Sequence, residues 1–184
     1  MIFAETPLRG AFEIDIEPLA DERGFFARTW CRHEFEAHGL DTGLAQCNVS
    51  FNKVAGTLRG LHYQAAPFEE VKVVRCTAGA IFDVIVDIRP DSPTFTRHHS
   101  VMLSAANRRA LYVPKGFAHG FQTLEPGTEI SYQMSEFFRP EYSRGVRWND
   151  PAFQIGWPET TTRIMNERDR SYPDFRVSAS QNTR

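Results

Sequence analysis

Twelve glycines and eleven prolines break the 184-residue chain at short intervals, and no other feature limits its fold as tightly. Both residues are costly inside helices, so a chain cut this often has little room for long ones. Between the breaks lie runs that read as strands: Ala11–Pro18, Val71–Cys76, Ala80–Ile88, Ser100–Leu103, Ala110–Val113 and Thr128–Met134. Turn residues separate them, as in Arg89-Pro90-Asp91-Ser92-Pro93, Pro114-Lys115-Gly116 and Glu125-Pro126-Gly127. Only Arg32–His38 has a clear helical pattern, with one more short helix expected near the C-terminus. The prediction is an all-β sandwich, jelly roll or barrel. A single domain is expected over residues 1–177, without repeat or linker, followed by a loose polar tail over 178–184.

Composition narrows the function classes. With 41% hydrophobic and 24% charged residues the chain reads as an ordinary soluble globular protein. A net charge of −2 argues against nucleic acid as a partner, although an arginine fork still suits a phosphate-bearing ligand. Cys31, Cys47 and Cys76 are odd in number and form no CxxC, which fits free thiols in a reducing cytoplasm. The start MIFAETPLRG lacks a basic region followed by an apolar run, so no signal peptide is expected. No stretch approaches membrane-spanning length, so no membrane partner is expected either.

The clearest alternation is Ala80–Ile88. Phe82, Val84, Val86 and Ile88 share one face, and Ile81, Asp83, Ile85 and Asp87 share the other. Two carboxylates among apolar residues need partners or water. Two readings stand open at this point: an outward face with solvated acids, or a strand lining a polar cavity.

Several common chemistries lack their signatures. The chain has no GxGxxG after a strand, no GxxxxGK[ST] and no GxSxG. Its six histidines (His33, His38, His62, His98, His99, His119) form neither HxH nor HExxH. His98 and His99 would point to opposite faces of a strand. A metal site built from His62 and His119 has no local ligand pair to support it, and no metal or other cofactor is expected. The densest functional segment is Gly56–Gln64, which holds Arg59, His62, Tyr63 and Gln64. Strict alternation places Arg59 and His62 on opposite faces, so if both serve one site Gly60 should mark a bulge or bend. In Pro114–Phe121 a turn leading into a core strand accounts for Phe117 and Phe121 but not for His119.

Taken together these segments resemble the dTDP-4-dehydrorhamnose 3,5-epimerase family, nucleotide-sugar epimerases of rhamnose biosynthesis. The matching pieces include Asp21-Glu-Arg-Gly-Phe-Phe26, Gln46-x-Asn-x-Ser50, Gly56-Thr-Leu-Arg-Gly-Leu-His-Tyr-Gln64 and Lys72-Val-Val-Arg75. Further on come Gly79-x-Ile-x-Asp-Val-x-Val-Asp-Ile-Arg89, Ser92-Pro-Thr-Phe95, Gly116-Phe-Ala-His-Gly-Phe121, Tyr132, Trp148-Asn-Asp-Pro151, Trp157-Pro158 and Asp169. The resemblance implies a cupin-type double-stranded β-helix, or jelly roll, with a few short peripheral helices. It also implies a homodimer with exchanged N-terminal strands, no metal, and a nucleotide-diphosphate-sugar substrate. His62 is then the general base, Asp169 the carboxylate that orients it, Lys72 the cation beside the enolate oxygen and Tyr132 the acid. Arg59, Gln46, Asn48 and His119 correspond to substrate-binding positions, and Arg23 to one supplied by the neighbouring subunit, with Phe26 in the same matched segment. Asp83 is a supporting acid.

Four positions bear on substrate choice. Arg28 and Ser143 stand where the family commonly has Glu, and both positions help hold the nucleoside. Phe138 stands where many members have a second Tyr, which bears on whether one or both centres are inverted. Arg168 occupies a Lys or Arg position. The expected activity is epimerisation at C3 and C5 of a dTDP-4-keto-6-deoxy-hexose. A mono-epimerase and a non-catalytic sugar-binding cupin are the alternatives.

Overall fold

The computed structural model describes residues 1–176. Among them run thirteen short strands: β1 (Ile2–Glu5), β2 (Phe12–Asp15), β3 (Leu19–Asp21), β4 (Gly24–Phe26), β5 (Gln46–Asn52), β6 (Leu58–Gln64), β7 (Lys72–Ala78), β8 (Ala80–Asp87), β9 (His98–Ser104), β10 (Ala110–Val113), β11 (Phe117–Thr123), β12 (Thr128–Met134) and β13 (Ser143–Gly145). Two short helices, α1 (Arg32–Ala37) and α2 (Glu167–Ser171), lie at the periphery. The expected tail over 178–184 lies outside the described residues.

Strands β1-β2-β10-β7-β12-β5 form one antiparallel sheet and β13-β6-β11-β8-β9 a second. Side-chain alternation packs them face to face. Val74 and Cys76 of β7, Leu111 of β10 and Ile130 of β12 meet Ile81 and Ile85 of β8, Leu103 of β9 and Phe121 of β11 in one buried cluster. Successive residues on the same strands point outward and are covered too. Val73, Ala110 and Tyr112 pack under Phe35 of α1. Val84, Val86 and Ala118 pack under Val146, Phe153 and Trp157 of the C-terminal segment. This is a jelly roll with both outer faces partly clad.

The burial of both faces decides the question left open over Ala80–Ile88. Asp83 and Asp87 are both fully buried, so the solvated-face reading is overturned. Asp87 is held by Arg89, Ser92 and Thr94. Burial alone would raise its carboxyl, but those donors outweigh it and hold it below the usual value. His98 and His99 do diverge, His98 to the Phe153 carbonyl and His99 to Glu13.

β5 and β6 were passed over by patterning, because each carries polar residues on its inward face and so lacks an apolar stripe. β1 pairs with β2 of the same chain, Ile2 opposite Asp15 and Glu5 opposite Phe12. The β3–β4 hairpin forms a two-stranded sheet of its own outside both large sheets, and all its strand residues are exposed. No described helix is long and apolar enough to cross a membrane.

Candidate active site

One end of the space between the sheets is lined by polar side chains instead of hydrocarbon. On β5 the alternation turns Gln46 and Asn48 inward, while Cys47, Val49 and Phe51 point out. On β7 and β12 the same period brings Lys72 and Tyr132 to that end, opposite Arg59 and His62 of β6 and His119 of β11. All but Gln46 line an inner cavity of about 330 Å³, which shares Asn48, His62, Lys72 and Met134 with an outer one of about 420 Å³ that Gln46 lines.

A bulge brings Arg59 and His62 to the same side. His119 pairs with His62 but Phe121 with Arg59, so β6 carries one residue more than β11 across this stretch. The extra residue falls where Gly60 has φ +130°, and the two backbones nearly touch: a Cβ on Gly60 would lie 2.6 Å from the Gly120 Cα. Only glycine tolerates both the conformation and the approach. The bend expected at Gly60 is present.

His62 is oriented from behind. Its Nε2 lies 2.7 Å from Asp169 Oδ1, and Asp169 Oδ2 accepts the Gly60 N–H at 3.1 Å. Asp169 itself is 1% exposed and sits in the first turn of α2, whose Asn166 caps it by accepting the Asp169 N–H. Burial pushes the Asp169 carboxyl up, but the bond and charge of His62 and the Gly60 amide outweigh it and hold it below the usual carboxylate value. With Nε2–H donated to Asp169, Nδ1 carries the lone pair. Lys72 Nζ donates to the His62 carbonyl at 3.2 Å and pairs with Glu70 at 3.1 Å.

Tyr132 comes from the other sheet, its ring edge-on to His119 with centroids 6.3 Å apart. Burial, with the Asp83 charge in support, drives its phenol far above the ordinary tyrosine value, so it is a protonated donor at neutral pH. His119 is fixed by Asp83 at 2.9 Å, and Arg59 by Asn52 at 2.8 Å. Such a cleft can remove a proton from a weakly acidic carbon on one side and return one on the other.

The outer cavity holds the remaining residues predicted on this subunit. The Gln46 amide oxygen accepts the Phe138 N–H at 2.5 Å, and Arg168 donates to Ser143 Oγ at 3.0 Å. Arg23, Phe26 and Arg28 are not brought to the cleft. Arg23 pairs with Asp21 at the exposed hairpin tip, while Phe26 and Arg28 line a separate hollow where Arg28 pairs with Glu34.

The family model described as dTDP-4-dehydrorhamnose 3,5-epimerase matches residues 5–177. The chain belongs to that family. A dTDP-4-dehydrorhamnose 3,5-epimerase of Sinorhizobium fredii is 46% identical over 157 residues, 85% of this chain and 80% of the relative. The crystal structure of the Bacillus anthracis dTDP-4-dehydrorhamnose 3,5-epimerase with TDP and pyrophosphate bound is similar with a TM-score of 0.90 at 41% identity, covering 95% and 99% of the two chains. A 3'-monoepimerase from Streptomyces bikiniensis, solved in complex with dTDP-quinovose, has a TM-score of 0.85 at 31% identity, covering 92% and 85%.

Within this family member three residues at the cleft went unnoticed in the sequence: Asn52, Asn166 and Glu70. Asn52 and Asn166 hold Arg59 and Asp169 in place. Gln64 ties the 137–139 segment down through Phe137 and Arg139. Glu70 is buried beside Lys72. The spacing Asn48-x-Ser50-x-Asn52 on a strand was a usable signal for Asn52; Asn166 and Glu70 had none. Among the described residues no three His, Cys, Asp or Glu side chains group as a metal site would need.

Proposed function

We propose that the chain inverts C3 and C5 of dTDP-4-keto-6-deoxyglucose without a metal ion. The observation that carries this is the placement of the His62–Asp169 pair and the Tyr132 phenol on facing sheets of one cleft, which Lys72 also lines. C3 and C5 flank the same ketone, so both enolates place their charge on one oxygen and a single cation can serve each step. His62 Nδ1 takes the carbon proton as the C–H electron pair moves into the enolate, and Asp169 stabilises the imidazolium. Tyr132 then protonates the opposite face. The imidazolium and phenolate that remain exchange with solvent, which resets the pair and brings in solvent hydrogen. Arg59, Asn48 and His119 hold the sugar end, and Gln46, Phe138, Ser143 and Arg168 the nucleotide end.

The arrangement is completed by a second copy in a cytoplasmic homodimer. The exposed β3–β4 hairpin carries Arg23, Phe26 and Arg28 to the partner's cleft, where guanidinium suits diphosphate. Residues 1–177 act as one catalytic domain. One observation favours a second reading, inversion at a single centre: Phe138 presents no hydroxyl to the outer cavity, and one structural relative is a 3'-monoepimerase.

Incubation with dTDP-4-keto-6-deoxyglucose in deuterated water, followed by NMR and mass spectrometry of the sugar, tests both. Label at C3 and C5 is the expected result. Label at one centre supports the mono-epimerase, and tight binding without label overturns the catalytic reading.

A further inference from the structure

Glu70 lies in the cleft wall, yet nothing in the reaction above uses it. Its side chain is 4% exposed and that of Lys72 9%, and Glu70 Oε1 lies 3.1 Å from Lys72 Nζ. Glu70 Oε2 is buried with no hydrogen-bond donor among the described residues. The carboxylate therefore depends on Lys72 for its compensation, and the dependence is mutual. A buried ammonium is costly unless an anion faces it. Among the described residues the other bond of Nζ is to the His62 carbonyl, a neutral acceptor. An ammonium has three N–H groups. Glu70 and the His62 carbonyl take two, which leaves the third available to the inner cavity that Lys72 lines with Tyr132.

We propose that Glu70 is the positioning residue of Lys72: its carboxylate holds the Lys72 head in place and turns one N–H toward the oxygen that becomes enolate. The inference rests on the epimerase reading for its kinetic consequence, while its structural half stands without it. In this role Glu70 acts through Lys72 and not on the reacting atoms, so its effect belongs in kcat and not in ligand affinity.

The chain has only three lysines, Lys53, Lys72 and Lys115, and Lys53 and Lys115 are exposed. A 15N-lysine-labelled sample therefore reports on Lys72 directly. In the ligand-free wild type, one slowly exchanging ammonium signal is expected at neutral pH. Glu70→Gln keeps the shape and removes the charge. Its expected outcome is loss of that signal, a kcat at least about 10-fold lower, and dTDP affinity within about twofold of wild type. An unchanged ammonium signal overturns the proposal, and so does a kcat that is unchanged or raised. If Glu70→Gln does not fold, Glu70→Asp, which retracts the charge by one methylene, enters the same assays: the same drop in kcat supports the proposal and a kcat within about twofold overturns it. A wild type that fails to epimerise sinks the functional reading instead, and the ammonium signal then still decides whether Glu70 holds Lys72.

Discussion

Replacing Asp169 by Asn tests the core of the mechanism with the smallest change of shape. Each Asp169 oxygen accepts one bond, Oδ1 from His62 at 2.7 Å and Oδ2 from Gly60 at 3.1 Å. An amide has one acceptor and one donor end, so it cannot satisfy both. If its oxygen takes the Gly60 N–H, its NH2 faces His62 Nε2, and the ring turns to the tautomer with a proton on Nδ1, where the lone pair is needed. If its oxygen faces His62, its NH2 opposes the Gly60 amide in a site that is 1% exposed. Either way the imidazolium loses its counter-charge. For unit charges about 4 Å apart at an effective dielectric of about 20, that loss is about 4 kcal/mol, or about a thousandfold in kcat. The dielectric is set high because the His62 side chain is 38% exposed. The assay is the initial rate of deuterium entry at C3 and C5, with circular dichroism confirming the fold. A folded Asp169→Asn protein whose rate is within tenfold of wild type would refute the reasoning.

Gly60→Ala should cost about 2–5 kcal/mol in urea denaturation, since its Cβ would meet the Gly120 Cα at 2.6 Å with φ at +130°; a cost below about 1 kcal/mol would show that the bulge relaxes freely. Tyr132→Phe should lower net epimerisation by at least about a hundredfold while His62 still exchanges the carbon hydrogen on its own face. Inversion at wild-type rate would remove Tyr132 from the acid role. Burial raises the phenols of Tyr63, Tyr112 (to about 12), Tyr132 and Tyr172. The native state therefore keeps protons that the unfolded chain releases near pH 10, and stability is full below that value and falls as pH rises above it. Denaturation midpoints at pH 8 and pH 10.5 check the sign, and a higher midpoint at pH 10.5 contradicts it.

The strands legible in the sequence are those whose alternation is apolar. Ala110–Val113 and Thr128–Met134 coincide with β10 and β12, and Ala80–Ile88 with β8 to within one residue. Elsewhere the ends moved, as where Ala11–Pro18 shrank to β2, Phe12–Asp15. Arg32–His38 ended at Ala37, with His38 closing α1 as its cap. β5 and β6 were illegible for a different reason. Where the inward face of a strand is mostly polar there is no hydrocarbon stripe and periodicity misses it, whereas β7 and β12 bring Lys72 and Tyr132 to the cleft on runs that were legible.

That failure locates chemistry. Gly60 could be anticipated because Arg59 and His62, three apart, suit one site only if the strand bulges between them. No such rule reaches Asp169, which lies 107 residues from His62 in the chain and meets it through a capped turn of five-residue α2. Only resemblance to a family named it. Glu70 lay beyond both kinds of reading, since a carboxylate beside Glu69 in a stretch without alternation looks like solvated surface. What distinguishes it is burial against Lys72, and burial is a property of the two sheets closing on each other, not of any segment. Polar residues in short-range order thus mark where a cleft is, whereas the charges that tune it are supplied from across the fold and become visible only once the strands are in register.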